Sequence, residues 1–275
     1  MKKWSLILLL VVLGGCSTSF VYDNIDWLAV EFVEDYVELE DSQEQLISNR
    51  VELLGLWHRQ QELPNYVAYL DELLVIEPSG FTPEDIQYHE NKLRTFTERL
   101  AERVAPDIAV LASKLNDDQV EEFMNSLRVR HTKYKERYQA LSDSDIKQRY
   151  RERIEKNLQR WLGHLSQAQQ QALSAWVDEM RITSRDWISH QTTMRVKIKS
   201  LLAQRANVEV FNPRLNALLL SPESYYSAEL AQKIEHNREV SRVRLIEIIH
   251  LMSEKQTQHF RDEVKDWQQL AEDIQ

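Results

Sequence analysis

A chain of 275 residues with 44 acidic side chains and eight histidines holds the raw material for acid–base or metal chemistry, yet its spacing does not assemble either. From His58 to His259 no two histidines stand as His-x-His or His-Glu-x-x-His, the spacings that bring two imidazoles to one metal. Serines are not set in a Gly-x-Ser-x-Gly elbow. Glu34 and Glu38 share a helix face, but in so acidic a chain such pairs arise without purpose. The sequence therefore predicts no catalytic residue, no metal site and no cofactor: the protein is not expected to be an enzyme. One side chain is set apart for covalent chemistry. Cys16, the single cysteine, follows Leu13-Gly14-Gly15, whose small residues open the backbone to a peptidase. Ahead of it, Lys2 and Lys3 precede Trp4 to Leu13, a stretch apolar except for Ser5. That run is too short to cross about 30 Å of hydrocarbon, so residues 1–15 read as a secretory signal.

Leu13-Gly14-Gly15-Cys16 resembles the lipobox of bacterial lipoproteins. The resemblance implies a diacylglycerol on the Cys16 thiol, cleavage just before it and acylation of the new amine. Two or three acyl chains anchor durably where one does not. Ser17 is similar to the residue that sends lipoproteins of Gram-negative bacteria to the outer membrane, where Asp would retain them at the inner one. The expected product is a lipid-anchored protein of the outer membrane facing the periplasm, with a short tether over residues 16–23.

Residues 1–15 hold two lysines and no acid, so their removal takes the formal charge from −10 to about −12. So acidic a body argues against general binding to nucleic acid or to anionic lipid. With one cysteine no internal disulfide is possible, although the compartment permits them. Of five glycines, only Gly55, Gly80 and Gly163 lie beyond the signal region. Tight turns and β-branched runs are correspondingly scarce, while Glu, Gln, Leu, Ala and Arg are good helix formers. The expected fold is all-α: an elongated multi-helix bundle with short turns.

A helix-start pattern recurs: an apolar residue, a short polar one, two variable residues, then usually Gln or Asp. Copies begin at Phe81, Leu115, Leu141, Leu165, Leu220 and Met252, with a looser one at Leu39-Glu40-Asp41-Ser42-Gln43. The second residue reads as an N-cap and the fifth as the N3 member of a capping box. Pro83 and Pro222 fall at N1, where a missing N–H costs nothing. The spacings are irregular, which argues against a solenoid. Apolar stripes at 3–4 spacing connect the caps. A first helix is expected over Asn24 to Leu39, a second over Gln43 to Gln60 ending near Pro64, and a third over Tyr66 to Ile76. Pro106 should kink or restart the helix that follows Thr82. Ser184 is expected to cap a later helix. The domain plan is a helical body over 24–205, a loop over 206–220 containing Asn207, Asn212, Pro213 and Asn216, and a C-terminal helical hairpin over 221–275.

Charge is unevenly spread. Between Asp23 and Glu44 stand nine acids and no Lys or Arg, whereas Arg128 to Arg160 carries eleven basic residues against five acidic. This basic middle either pairs internally with the acidic N-terminal helices or forms a surface for an anionic partner. Its candidate residues are Arg128, Arg130, Lys133, Arg137, Arg149 and Arg153. A second candidate is the cluster Trp57, His58, Arg59, Glu62 and Tyr66. It reads either as a helix end restarted by Pro64 or as a small aromatic recognition pocket.

The lipobox, Asp26-Trp27-Leu28, Asp35-Tyr36-Val37, Trp57-His58-Arg59 and Glu62-Leu63-Pro64 together resemble a family of uncharacterised proteobacterial lipoproteins known only as a domain of unknown function. In that family the first motif is closer to Leu-Thr-Pro-Glu-Gln, so Glu40 departs from it as a cap. The motif copies are also similar to the Leu-Thr-x-x-Gln repeats of small periplasmic stress chaperones. Two functions emerge as expectations. One is a non-enzymatic binding or adaptor module that recruits an envelope protein, the other an ATP-independent chaperone for unfolded clients. Both place the chain at the membrane through Cys16 and neither involves nucleic acid.

Overall fold

The computed structural model describes residues 21–274, so the expected signal segment and Cys16 lie outside the described residues. Eleven α-helices and no strand occur among the described residues. They are α1 (Ile25–Glu34), α2 (Asp41–Trp57), α3 (Leu63–Leu74), α4 (Pro83–Lys114), α5 (Asp117–Gln139), α6 (Asp143–Leu162), α7 (Gln167–Glu179), α8 (Ser184–Leu202), α9 (Val208–Leu220), α10 (Ala228–His250) and α11 (Glu254–Ile274). The protein is an all-helical bundle. None of the helices is long and apolar enough to cross a membrane.

The capping pattern sets most helix starts. Thr82, Asn116, Ser142, Ser166 and Ser253 each accept a hydrogen bond from the backbone N–H three residues on. The reach of the fifth residue differs between Asp and Gln. Asp85 and Asp145 only return a bond to their own N-cap at the surface. The four glutamines are buried and pair across the fold. Gln43 and Gln119 exchange Nε2–H···Oε1 bonds of 3.0 and 2.7 Å, and Gln169 and Gln256 exchange bonds of 3.2 and 2.9 Å. Each Oε1 also accepts from its own helix-start N–H, at Glu40, Asn116, Ser166 or Ser253. Each remaining N–H reaches a carbonyl: Lys114, Glu38, Ile248 or His164. A buried primary amide has two donors and two acceptor lone pairs, and here all four are used. An acid could not do this, because two carboxylates have no proton to share. The glutamine pairs thus clamp the start of α2 to that of α5 and the start of α7 to that of α11. At Glu40, where a short polar cap is missing, Gln43 still returns its bond.

Apolar faces close around these clamps. Ile146, Leu158, Leu162, Leu165, Leu173 and Ile248 bring α6, α7 and α10 together. Phe211 and Leu215 of α9 pack with Leu201, Leu202, Val120 and the small Ala109 and Ala112 of α4. Val37, Leu39 and Ile47 join α1 to α2, and Leu63, Ala271 and Ile274 join α3 to α11. Ile146, Leu173, Leu230, Ile248 and Val264 have no exposed surface, and each such burial is worth roughly 1.5–3 kcal/mol.

Several sequence expectations are corrected. The segment expected as a loop over 206–220 is helical from Val208 to Leu220. Phe211, Leu215, Leu218 and Leu219 form an apolar face that is buried against α4 and α8, and that burial outweighs the cost of Pro213 within the helix. Pro106 does not end α4, which runs unbroken to Lys114 while its small residues Ala105, Ala109 and Ala112 pack inward. The first helix is shorter than expected: α1 stops at Glu34, and the turn after it buries Val37. The expected break near Pro64 is instead a π-helical turn, His58–Glu62, that joins α2 directly to α3. Leu63 N–H bonds to the His58 carbonyl five residues back, so the widened turn absorbs the N–H that Pro64 lacks. Ser221 and Pro222 open only a short 3-10 turn, Pro222–Tyr225, and Ser227 is the cap of α10. Thr183 occupies the N-cap position of α8, leaving Ser184 buried inside its first turn.

Candidate functional site

The π-turn shapes the first candidate site. Its extra residue turns Glu62 inward, where the side chain has no exposed surface. Arg99 of α4 meets it, with Nη2 2.7 Å from Oε1, but the approach is off-axis and neither carboxylate oxygen has an aligned donor. Burial and the neighbouring Glu62 carboxylate raise the Tyr66 hydroxyl, against a smaller pull from Arg99. Burial lowers the His58 imidazole, with Glu62 opposing. His58 Nδ1 lies 2.9 Å from the Tyr22 hydroxyl, which burial pushes up to about 12.

His58 and Tyr66 face a cavity of about 660 Å³. Its walls come from Leu70 and Leu73 of α3, Leu93 and Phe96 of α4, Trp161 of α6, and Trp267 and Leu270 of α11, with Tyr22 at the N-terminal side. The Tyr66 ring meets Phe96 edge-on at 4.8 Å and His58 at 5.3 Å. The volume lies within the range of small-molecule sites, and the walls are almost wholly apolar. The predicted cluster is therefore only partly a pocket. His58 and Tyr66 line it, and Glu62 supports it from behind. Trp57 sits under Arg103 at 5.8 Å, and Arg59 pairs with Asp23 at 3.2 Å while covering the Tyr22 ring. Trp161 and Trp267 were absent from the predicted set. In the sequence they are ordinary members of apolar stripes, and nothing local marks them as sharing one wall.

The basic middle divides between the two expected roles. Arg130 belongs to the internal one: its Nη2 is 3.5 Å from Asp35 and its guanidinium lies 3.9 Å above the Tyr36 ring. Arg128 bonds Asn125 on its own helix at 2.7 Å. Lys133, Arg137, Arg149 and Arg153 are exposed, and among the described residues none forms an ion pair. Arg149 lies over Tyr138 at 5.5 Å and Arg153 over Tyr150 at 5.6 Å. Tyr134 meets Tyr138 with tilted rings 4.7 Å apart, and burial pushes its hydroxyl up to about 12. The C-terminal half of α5 and the facing side of α6 thus present unpaired cations on a tyrosine floor. Other charges on or against these helices are paired, as with Arg151 on Ser174 and Gln170, Arg185 on Asp143 and Arg205 on Asp117. A third opening, about 820 Å³ between α6, α8 and α10, is polar but already neutralised by pairs such as Lys233 with Asp186 and Glu229.

No group of three or more His, Cys, Asp or Glu placed to hold a metal occurs among the described residues. The described residues combine an apolar cavity with a cationic, tyrosine-rich face on a helical frame. These features define an all-helical bundle. A family of unknown function (DUF6279) matches residues 35–231, and the chain belongs to that family. The match spans both the π-turn and the basic face. No curated protein and no solved structure matches the chain.

Proposed function

We propose that the chain is a non-enzymatic envelope lipoprotein, held by acylated Cys16 on the periplasmic side of the outer membrane, that recruits an envelope protein partner. The observation that carries the reading is the cationic face of Lys133, Arg137, Arg149 and Arg153. On a net-acidic body, four exposed cations without carboxylate partners among the described residues keep their full field for a partner. The tyrosines beneath them add rigid contact area at low entropic cost. A folded partner with an acidic patch fits this surface.

The test is crosslinking in intact cells from a photoreactive residue placed at Lys133 or Arg149 of the full chain. One dominant adduct is expected, and the double change Arg149→Glu with Arg153→Glu should remove it. Acylation is read separately by mass spectrometry of the N-terminal peptide, with and without Cys16→Ala. The alternative, an ATP-independent chaperone for unfolded clients, draws support from the apolar cavity. It predicts many adducts in place of one, and suppression of aggregation by the purified protein.

A further inference from the structure

We infer that the cavity between α3, α4, α6 and α11 is a binding site for a single long acyl chain with an anionic head, a free fatty acid. Three observations carry this. First, the walls are mostly apolar and aromatic, with few polar groups, from His58, Thr97 and the hydroxyls of Tyr22, Tyr66 and Tyr69. A ligand that fills such a space must be largely hydrocarbon. Second, the volume of about 660 Å³ is modest for a two-chain lipid and suits one chain. Third, a cation stands beside two of the cavity walls, although it does not itself line the cavity. The Arg160 guanidinium lies 5.2 Å from the Trp267 ring centre and 5.8 Å from that of Trp161, and both tryptophans are walls of the cavity.

Arg160 makes no ion pair among the described residues, although α11 is rich in acids. It is held against aromatic faces, where a guanidinium keeps its donors turned outward and remains able to take a carboxylate in a two-pronged bond. A cation kept free beside an apolar slot matches the two ends of a fatty acid. The carboxylate would pair with Arg160 while the chain runs between Leu70 and Leu270. The cavity uses none of Lys133, Arg137, Arg149 and Arg153, so it is argued independently of the partner proposed above.

The experiment uses the full chain, purified and mixed with phosphatidylcholine vesicles, and three diazirine probes. These are a palmitic acid analogue, the matching fatty alcohol, and a phosphatidylglycerol bearing the same chain. The acid should label peptides of α3 and α11 that contain Leu70 and Trp267. Leu270→Trp or Leu70→Trp, each filling the cavity, should abolish the labelling while circular dichroism shows the helical fold retained. Arg160→Glu should lower labelling by the acid about tenfold, the loss of one charge-assisted contact, and leave labelling by the alcohol unchanged. Labelling by the phosphatidylglycerol alone would overturn the fatty-acid assignment in favour of a membrane lipid. Labelling by the acid that survives both cavity-filling variants would overturn the site itself.

Discussion

The four buried glutamines show how one atom type can decide between a local cap and a long-range clamp. Gln169 satisfies its own helix start through Oε1 and spends its two N–H groups on Gln256 and on the Ile248 carbonyl. Gln169→Ala therefore leaves the Ser166 N–H and one N–H of the Gln256 amide without partners in a buried site, while the Ile248 carbonyl keeps only the Leu251 N–H. Each unsatisfied buried group costs about 1–3 kcal/mol, so the variant should lose at least about 2 kcal/mol. Denaturant melts should report this as a lower midpoint with an unchanged slope. Asp85→Ala, at a solvent-exposed box that makes only local bonds, should cost clearly less. Equal losses in the two variants would show that the cross-fold pairing adds nothing to the cap.

At the scale of elements, two terminations work by different means. α6 ends at Gly163, whose φ of 69° and ψ of −140° lie where side chains other than glycine are strained. An added Cβ would meet His259 only at ordinary contact distance, 3.7 Å, so the penalty of Gly163→Ala is conformational and not steric. About 1–3 kcal/mol is expected, measurable as a lower melting temperature with no loss of helix content at 25 °C. The junction of α2 and α3 does the opposite: it avoids termination. A proline that the sequence presents as a stop is bridged by a π-turn, and the widened turn points Glu62 into the protein towards Arg99. The sequence supplies Pro64 but not the outcome, because a free N–H deficit can be met by ending the helix or by widening it. Packing of Leu63 and Tyr66 against α11 and α4 selects the second.

For the molecule as a whole, acid sensitivity follows from where its histidines sit. Burial lowers His58, His89, His131 and His190 from the ordinary value of 6.5, so each favours its neutral form when folded. The unfolded chain then binds more protons than the folded one below about pH 6.5, and stability is lost as pH falls through that value towards the folded ones. A second loss comes at lower pH. Asp26, Glu72, Asp85 and Glu179 are lowered by hydrogen bonds from the Trp27 N–H, the Tyr88 hydroxyl, Thr82 and Arg244, in that order, so their stabilisation is present above the usual carboxylate range and disappears below it. Melting temperature should hold from pH 8 to 7, decline between pH 6.5 and 5, and drop again below 4. His131→Gln should flatten the first decline and leave the second. A melting temperature that rises on acidification from pH 7 to 5 would contradict this ordering.

The sequence by itself determined that the chain is helical and where most helices begin, because N-caps, N1 prolines and apolar stripes act within a few residues of one another. It also marked His58, Tyr66 and the Arg149 and Arg153 region as worth attention, since aromatic and charge density are visible in one dimension. It did not determine that Gln43 meets Gln119 or Gln169 meets Gln256, that 208–220 is helical despite Pro213, or that Trp161 and Trp267 share a cavity with Tyr66. Those outcomes depend on which faces are buried against which. Burial over tens of side chains outweighs the local cost of a proline or an asparagine, and it acts between residues some 75 to 200 positions apart, where no spacing rule reaches.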